Sequence, residues 1–302
     1  MDHSLLNAAR ALEWPRVLDL LAGNAQSALG EEKCRSLQLA ENLEEARLRQ
    51  QETTEMVRLL EGDDPMPPLG FPDVREPLGR AAKGGELAAS ELWNCAVVMT
   101  VMEEVARYAA RHLVAGDVLI RVAQPLQVLG RELHPLRAAI EEAIEADGSV
   151  KESATPELRR LTRHAHELKQ NMREQLNRLL HAQLYKDVLQ EQYFAQREGR
   201  YVLPVKAEMR GRIPGIVHDV SVTGATVFLE PRELIDLNNA IKVSDREVER
   251  EVHRILRELT AMVARHADAI GKGAERLAEW DCIHAKAVLS RRLGGNPVSL
   301  NG

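Results

Sequence analysis

One stretch, from Arg197 to Pro231, limits what this chain can become. It is the part that reads as β, and it stands between two long helical patterns. Arg200–Lys206, Ile213–Val220 and Ala225–Leu229 are short runs rich in Val, Ile and Tyr. Gly199, Gly211, Gly215 and Gly224 punctuate them, and Ser221 to Gly224 reads as a turn. Pro231 closes the run at a helix start, where a missing N–H costs nothing.

The flanks carry the complementary signal. Before the β run, Leu158, Leu161, Ala165, Leu168, Met172, Leu176 and Leu179 recur at steps of three and four. After it, Leu234, Leu237, Ile241, Val248, Val252, Ile255, Leu259, Met262 and Ile270 follow a similar spacing. Each is an apolar stripe on a long helix. A helix of roughly 30 residues spans about 45 Å. A single apolar stripe needs a partner, and the simplest is the other helix running antiparallel. The expectation is a mainly α protein in which a long antiparallel two-helix arm carries a small antiparallel β cap.

The rest of the chain reads as helical, with scarce aromatics and abundant Leu, Ala, Glu and Arg. Trp14-Pro15 ends a first helix and starts a second, with Val17, Leu18, Leu20 and Leu21 as its apolar face. Further helices are expected over 26–39, 43–60, 73–82, 118–129 and 136–144, and one from about Ser90, as N-cap, to His112. Residues 62–72 form a Pro- and Gly-rich loop, and 145–155 a polar hinge. Thr155-Pro156-Glu157 is a helix start. Gly271-Lys272-Gly273 is read as a break before a last helix over 274–293, with Leu277, Trp280, Ile283, Ala287 and Val288 in the core.

Several chemistries find no support in the sequence. There is no G-x-x-x-x-G-K-[ST], H-E-x-x-H, C-x-x-C or G-x-S-x-G. His164 and His166 lie about 200° apart on a helix and do not share a metal-binding face. Cys34, Cys95 and Cys282 have no ligand spacing, which points to buried thiols in a reducing compartment. No stretch has signal-peptide or membrane-span character, so a cytoplasmic location is expected, with no membrane partner. At a net charge of −6, a nucleic-acid site must be a local patch. Arg197, Arg200, Lys206, Arg210 and Arg212 form one, against Glu198 and Glu208. A patch at the end of an arm neutralises phosphates. The competing reading pairs Arg200 and Lys206 with Glu198 and Glu208. Tyr193, Phe194 and Tyr201 lie near the patch, as base-stacking groups or as core of the cap.

R-E-G-R-Y-V-L-P-V-K-A-E, then R-G-x-I-P-G-I-V-H-D-x-S-x-T-G-A-T-V-F-L-E-P and L-x-x-L-N-N, resembles the signature of the second bacterial MutS class. That class is the MutS-like ATPase with a C-terminal Smr nuclease domain, distinct from mismatch-repair MutS. L-E-W-P-R-V-L-D-L-L near Leu12, residues 53–60, G-F-P-D-V-R-E-P-L-G-R-A over 70–81, K-G-G-E-L at Lys83 and the helix around Ala285 resemble it too. The resemblance covers essentially the whole chain. It implies a helical core over 1–150, an ascending lever helix over 151–189, a β clamp over 190–231, a descending lever helix over 232–270 and a return helix with a tail over 271–302. It implies an N-terminal part without ATPase or nuclease activity and without a cofactor. In the parent it implies ATP and Mg, endonuclease activity, a homodimer, and binding of branched or duplex DNA with suppression of homologous recombination. Ribosome binding through rRNA is the alternative partner, and a protein-only helical scaffold the third reading.

Overall fold

A computed structural model of the chain describes residues 13–300. The expected helix before Trp14 lies outside the described residues. The fold is mainly helical with one small antiparallel sheet. The chain divides into two compact units, one of residues up to Lys151 together with those from Leu256, the other Glu152–Ile255.

The first unit opens with α1 (Trp14–Ala22), α2 (Ala28–Arg35), α3 (Leu43–Leu60) and α4 (Arg75–Ala82). On α1, Leu18, Leu21 and Ala22 are buried, whereas Val17 and Leu20 of the expected apolar face are exposed. Ser27 and Asn42 accept hydrogen bonds from Gly30 N and Glu45 N, and so cap α2 and α3. α5 (Ala89–His112) and α6 (Ile120–Ala143) then pack antiparallel. Glu103 of α5 accepts from Arg137 Nε of α6 at 3.1 Å, and Thr100 Oγ1 donates to Glu141 at 3.4 Å. The start of α5 differs from expectation. Ala88, not Ser90, is the cap residue, and Glu91 reaches back to accept from Ala88 N at 2.8 Å.

α6 corrects the reading of two helices over 118–129 and 136–144. It is continuous through Pro125 and Pro135. Each proline removes one backbone bond, but Leu126, Leu133, Leu136 and Ile140 are fully or nearly fully buried on both sides of the gap. At about 1.5–3 kcal/mol per buried side chain, that anchoring outweighs the local loss.

α9 (Arg232–Arg265) is followed by α10 (Ala267–Leu293), and the break lies at His266 rather than at 271–273. Gly273 sits inside α10 because of packing. A Cβ there would lie 2.1 Å from the Met102 methyl group of α5, so glycine permits the close approach. α10 is the central helix of this unit and packs against α1 to α6. Leu277, Trp280, Ile283 and Ala287 are buried as the spacing predicts, and Val288 is half-buried. Cys34 of α2 and Cys282 of α10 share a small apolar cluster with Leu21 and Ala22. All three cysteines are free and buried, and burial pushes the Cys95 thiol up to about 12. Burial also pushes the His284 imidazole below its usual range.

Residues 144–150 form a tight turn. Glu145 N donates to Ser149 O at 2.8 Å, and Gly148 takes φ 81°, a conformation glycine adopts without strain.

The second unit begins at α7 (Pro156–His181), 26 residues and about 39 Å long. Thr155 caps it by accepting from Leu158 N at 2.9 Å. The N-terminal part of α9 runs antiparallel beside it. Thr155 donates to Glu251 at one end, and Lys169 pairs with Asp245 at 2.7 Å further along. The Arg254 guanidinium holds the Glu251 carboxyl below the usual carboxylate range. Between the two helices come α8 (Gln183–Val188), β1 (Ala195–Arg197), β2 (Arg200–Lys206), a 3-10 turn over Ala207–Arg212, β3 (Gly215–Val220) and β4 (Thr226–Pro231). The sheet order is β1-β2-β4-β3, antiparallel throughout. β1 adds one strand to the three legible in the sequence. Met172, Leu176 and Leu180 of α7, Tyr185, Leu203, Val205, Val227, Leu229, Leu234 and Ile241 form one core between helices and sheet.

Candidate nucleic-acid interface

Four features fix the shape of the sheet. Glu198 and Gly199 have φ 49° and 74°, so the β1–β2 turn has both central residues left-handed. That hairpin geometry matches strand twist. Gly215 starts β3 against β4, and a Cβ there would lie 2.3 Å from the Glu230 carbonyl oxygen. A bulge between Val217 and Asp219 leaves His218 without a strand partner and turns its imidazole inward. The fourth feature is Glu230, whose side chain is fully buried.

Glu230 is the hub of a polar network the sequence reading missed. Its carboxylate accepts from Arg200 Nη1 at 2.7 Å and Asn238 Nδ2 at 2.8 Å, and it pairs with His218 Nε2 at 2.6 Å. Asn238 also accepts from Tyr201 N and donates to Tyr201 O, so α9 is stitched to β2 as a strand would be. Burying a carboxylate is unfavourable unless charge and hydrogen bonds surround it. The only sequence trace was residue type: Glu230, His218 and Asn238 all fall in the quoted signature.

The five cations that the sequence singles out separate into two groups. Arg200 is bonded to Glu230 and to Asn239 Oδ1 at 2.7 Å. Arg197 donates to Asp219 at 2.8 Å, and its guanidinium lies 4.1 Å from the Phe228 ring centroid. Phe228 alternates with core-facing Val227 and Leu229, so Arg197 covers the opposite face of the sheet. Lys206 donates to Asp187 O at 3.3 Å. These three therefore brace the sheet. The expected pairing of Arg200 and Lys206 with Glu198 and Glu208 does not form, because both side chains find these other acceptors. Arg210 and Arg212 differ. They stand exposed on the 3-10 turn with no hydrogen bond or ion pair among the described residues.

The aromatic residues separate likewise. Tyr201 is buried in the core and Phe194 packs against it, centroids 6.0 Å apart, whereas Tyr193 is exposed. Beyond the 3-10 turn, Ile216 and Val220 are about half exposed and Val222, at the β3–β4 turn, is fully exposed.

Charge is uneven between the units. Residues 152–255 carry 17 Lys and Arg against 16 Asp and Glu, so the excess acid behind the net charge of −6 lies in the rest of the chain. Arg159, Arg163 and Arg173 of α7 are further exposed cations without a partner among the described residues. No group of His, Cys, Asp and Glu among the described residues has metal-binding geometry, and no helix there is long and apolar enough to cross a membrane.

No family model matches the chain. Curated proteins do. The chain is 35% identical over 295 residues to a protein named Endonuclease MutS2 from Pelotomaculum thermopropionicum, covering 98% of this chain and 37% of that protein. A protein of the same name from Shouchella clausii is 32% identical over 97% of the chain and 37% of its own length. One from Symbiobacterium thermophilum is 34% identical over 96% of the chain and 35% of its own length. The chain thus spans little more than a third of the relatives it matches. At 96–98% of the chain, the match runs through both units. The chain is a homologue of the MutS2 proteins and corresponds to their N-terminal part.

Proposed function

We propose that residues 152–255 form the nucleic-acid-holding arm of a MutS-type protein. In this reading the whole protein is a DNA-binding ATPase and endonuclease that engages branched or duplex DNA and restrains homologous recombination. This chain holds nucleic acid without cutting it or hydrolysing ATP. The parts of the whole protein beyond it bind ATP and Mg, cut DNA and bring two copies together. The observation that carries the reading is the pair Arg210 and Arg212, guanidinium groups without an acceptor among the described residues, whereas Arg197, Arg200 and Lys206 are engaged. An unpaired guanidinium suits a phosphate oxygen. The relatives' name, endonuclease, is compatible with a nucleic-acid substrate.

The test is a salt series. Arg210→Ala with Arg212→Ala removes two exposed, unpartnered side chains, so melting should change little. DNA affinity should fall, and the log–log salt slope should shrink by about 2, roughly 0.9 for each lost phosphate contact. An unchanged affinity and slope would remove these two residues from the interface. Preferential binding of ribosomes over branched and duplex DNA in the same series would redirect the proposal to rRNA.

A further inference from the structure

α7 carries a second feature of this kind, visible only once its buried face is fixed. Leu158, Leu161, Ala165, Met172, Leu176 and Leu180 face the core. About 115° round the helix from them, Arg159, Arg163, His166, Gln170, Arg173 and Asn177 recur at steps of four and three. At 100° per residue these six fall within about 40° of one line. All are exposed, and none is acidic or apolar. His181 extends the line, for a total rise of about 33 Å. The acidic residues of α7 lie elsewhere. Glu157 pairs with Arg160 well off the line, and Glu174, about 60° from it, pairs with Arg178 and accepts from Gln170 Nε2 at 3.4 Å. Glu167 is about 80° away from it. The three arginines on the line have no partner among the described residues.

We propose that this arginine-bearing line of α7 is a track for the sugar–phosphate backbone of duplex DNA. The proposal rests on the nucleic-acid reading above and assigns it a second surface. Three arguments support that occupant. The line offers hydrogen-bond donors, and cations at three places, so it complements a row of phosphates. It offers a protein partner no apolar side chain to bury, and apolar burial drives most protein association. Its length is close to the roughly 34–36 Å of one turn of B-form duplex. The His, Gln and Asn side chains between the arginines reach phosphate and sugar oxygens without adding sequence preference.

The experiment compares three variants of this chain on a duplex DNA and on an RNA duplex of the same sequence, by anisotropy across a salt series. The first carries Arg159→Gln, Arg163→Gln and Arg173→Gln, which keep helix propensity. The second carries Arg160→Gln and Arg178→Gln, off the line. The third is the Arg210→Ala, Arg212→Ala pair. The proposal predicts that the first lowers the DNA salt slope by about 2–3 and the second leaves it unchanged. If the first variant binds like wild type while the third loses affinity, the track is wrong and the nucleic-acid reading stands. If neither loses affinity, both fall. If the line-dependent binding appears on RNA but not on DNA, the choice of DNA is overturned.

Discussion

Replacing Asp281 by alanine is expected to destabilise the unit built on α10 by about 3–5 kcal/mol, because it removes the acceptor of several donors at about 1–3 kcal/mol for each one left buried. Asp281 is fully buried. Its carboxylate accepts from Gln26 N at 3.0 Å, from Ser27 N at 2.9 Å and from Ser27 Oγ at 2.6 Å. Ser27 Oγ in turn accepts from Gly30 N at 3.0 Å, so one carboxylate orients the cap of α2 and binds that cap to α10. Nothing larger than glycine fits at position 30, where a Cβ would lie 2.1 Å from Asp281 Oδ2. Alanine at 281 leaves the buried Ser27 N–H and Oγ–H without that acceptor, at about 1–3 kcal/mol for each buried group, and releases the part-buried Gln26 N–H. Asp281→Asn keeps one acceptor and should retain part of the stability. Urea unfolding of the three proteins, followed by far-ultraviolet circular dichroism, measures the differences. A loss below about 1 kcal/mol for the alanine variant would show that these bonds do not hold α2.

Glu230→Ala is expected to have an effect of the same size in the other unit, about 3–5 kcal/mol, for a different reason. There the substitution leaves the Arg200 guanidinium, the His218 imidazole and the Asn238 amide facing a cavity. Glu230→Gln should lose less, because its amide oxygen still accepts from Arg200. Hydrogen exchange locates the effect. Amides of 202–205 and 227–229 should exchange faster, and those of α10 should keep their protection. Unchanged exchange in the strands would mean that the apolar core alone holds the sheet.

These two sites show where sequence reading stops. α3 was legible to the residue, and so was the start of α7 at Thr155-Pro156, because caps, charges and apolar spacing act within a few positions. β2 was legible because its β-branched run is bounded by Gly199 and by the charged turn after Lys206. The Asp281 bonds join residues 254 and 255 positions apart, and no local pattern marks them. Pro125, Pro135 and Gly273 looked like breaks because propensity is local. Packing against α5 and the buried leucines overrides it. At the candidate interface, the sequence grouped five cations and offered Glu198 and Glu208 as partners for Arg200 and Lys206. The acceptors in the fold are instead Glu230, Asp219 and Asp187 O, distant in sequence, and they engage Arg200, Arg197 and Lys206 but leave Arg210 and Arg212 without a partner among the described residues.

The central claim is that 152–255 meets nucleic acid through its unpaired arginines. The most direct measurement is arginine modification by phenylglyoxal, with and without saturating duplex DNA, read residue by residue by mass spectrometry. Arg210, Arg212, Arg159, Arg163 and Arg173 should be protected by DNA. Arg107 and Arg131, also exposed, on α5 and α6, should react as before. Protection of Arg107 and Arg131 without protection of Arg210 and Arg212 would contradict the account, and so would no protection at all.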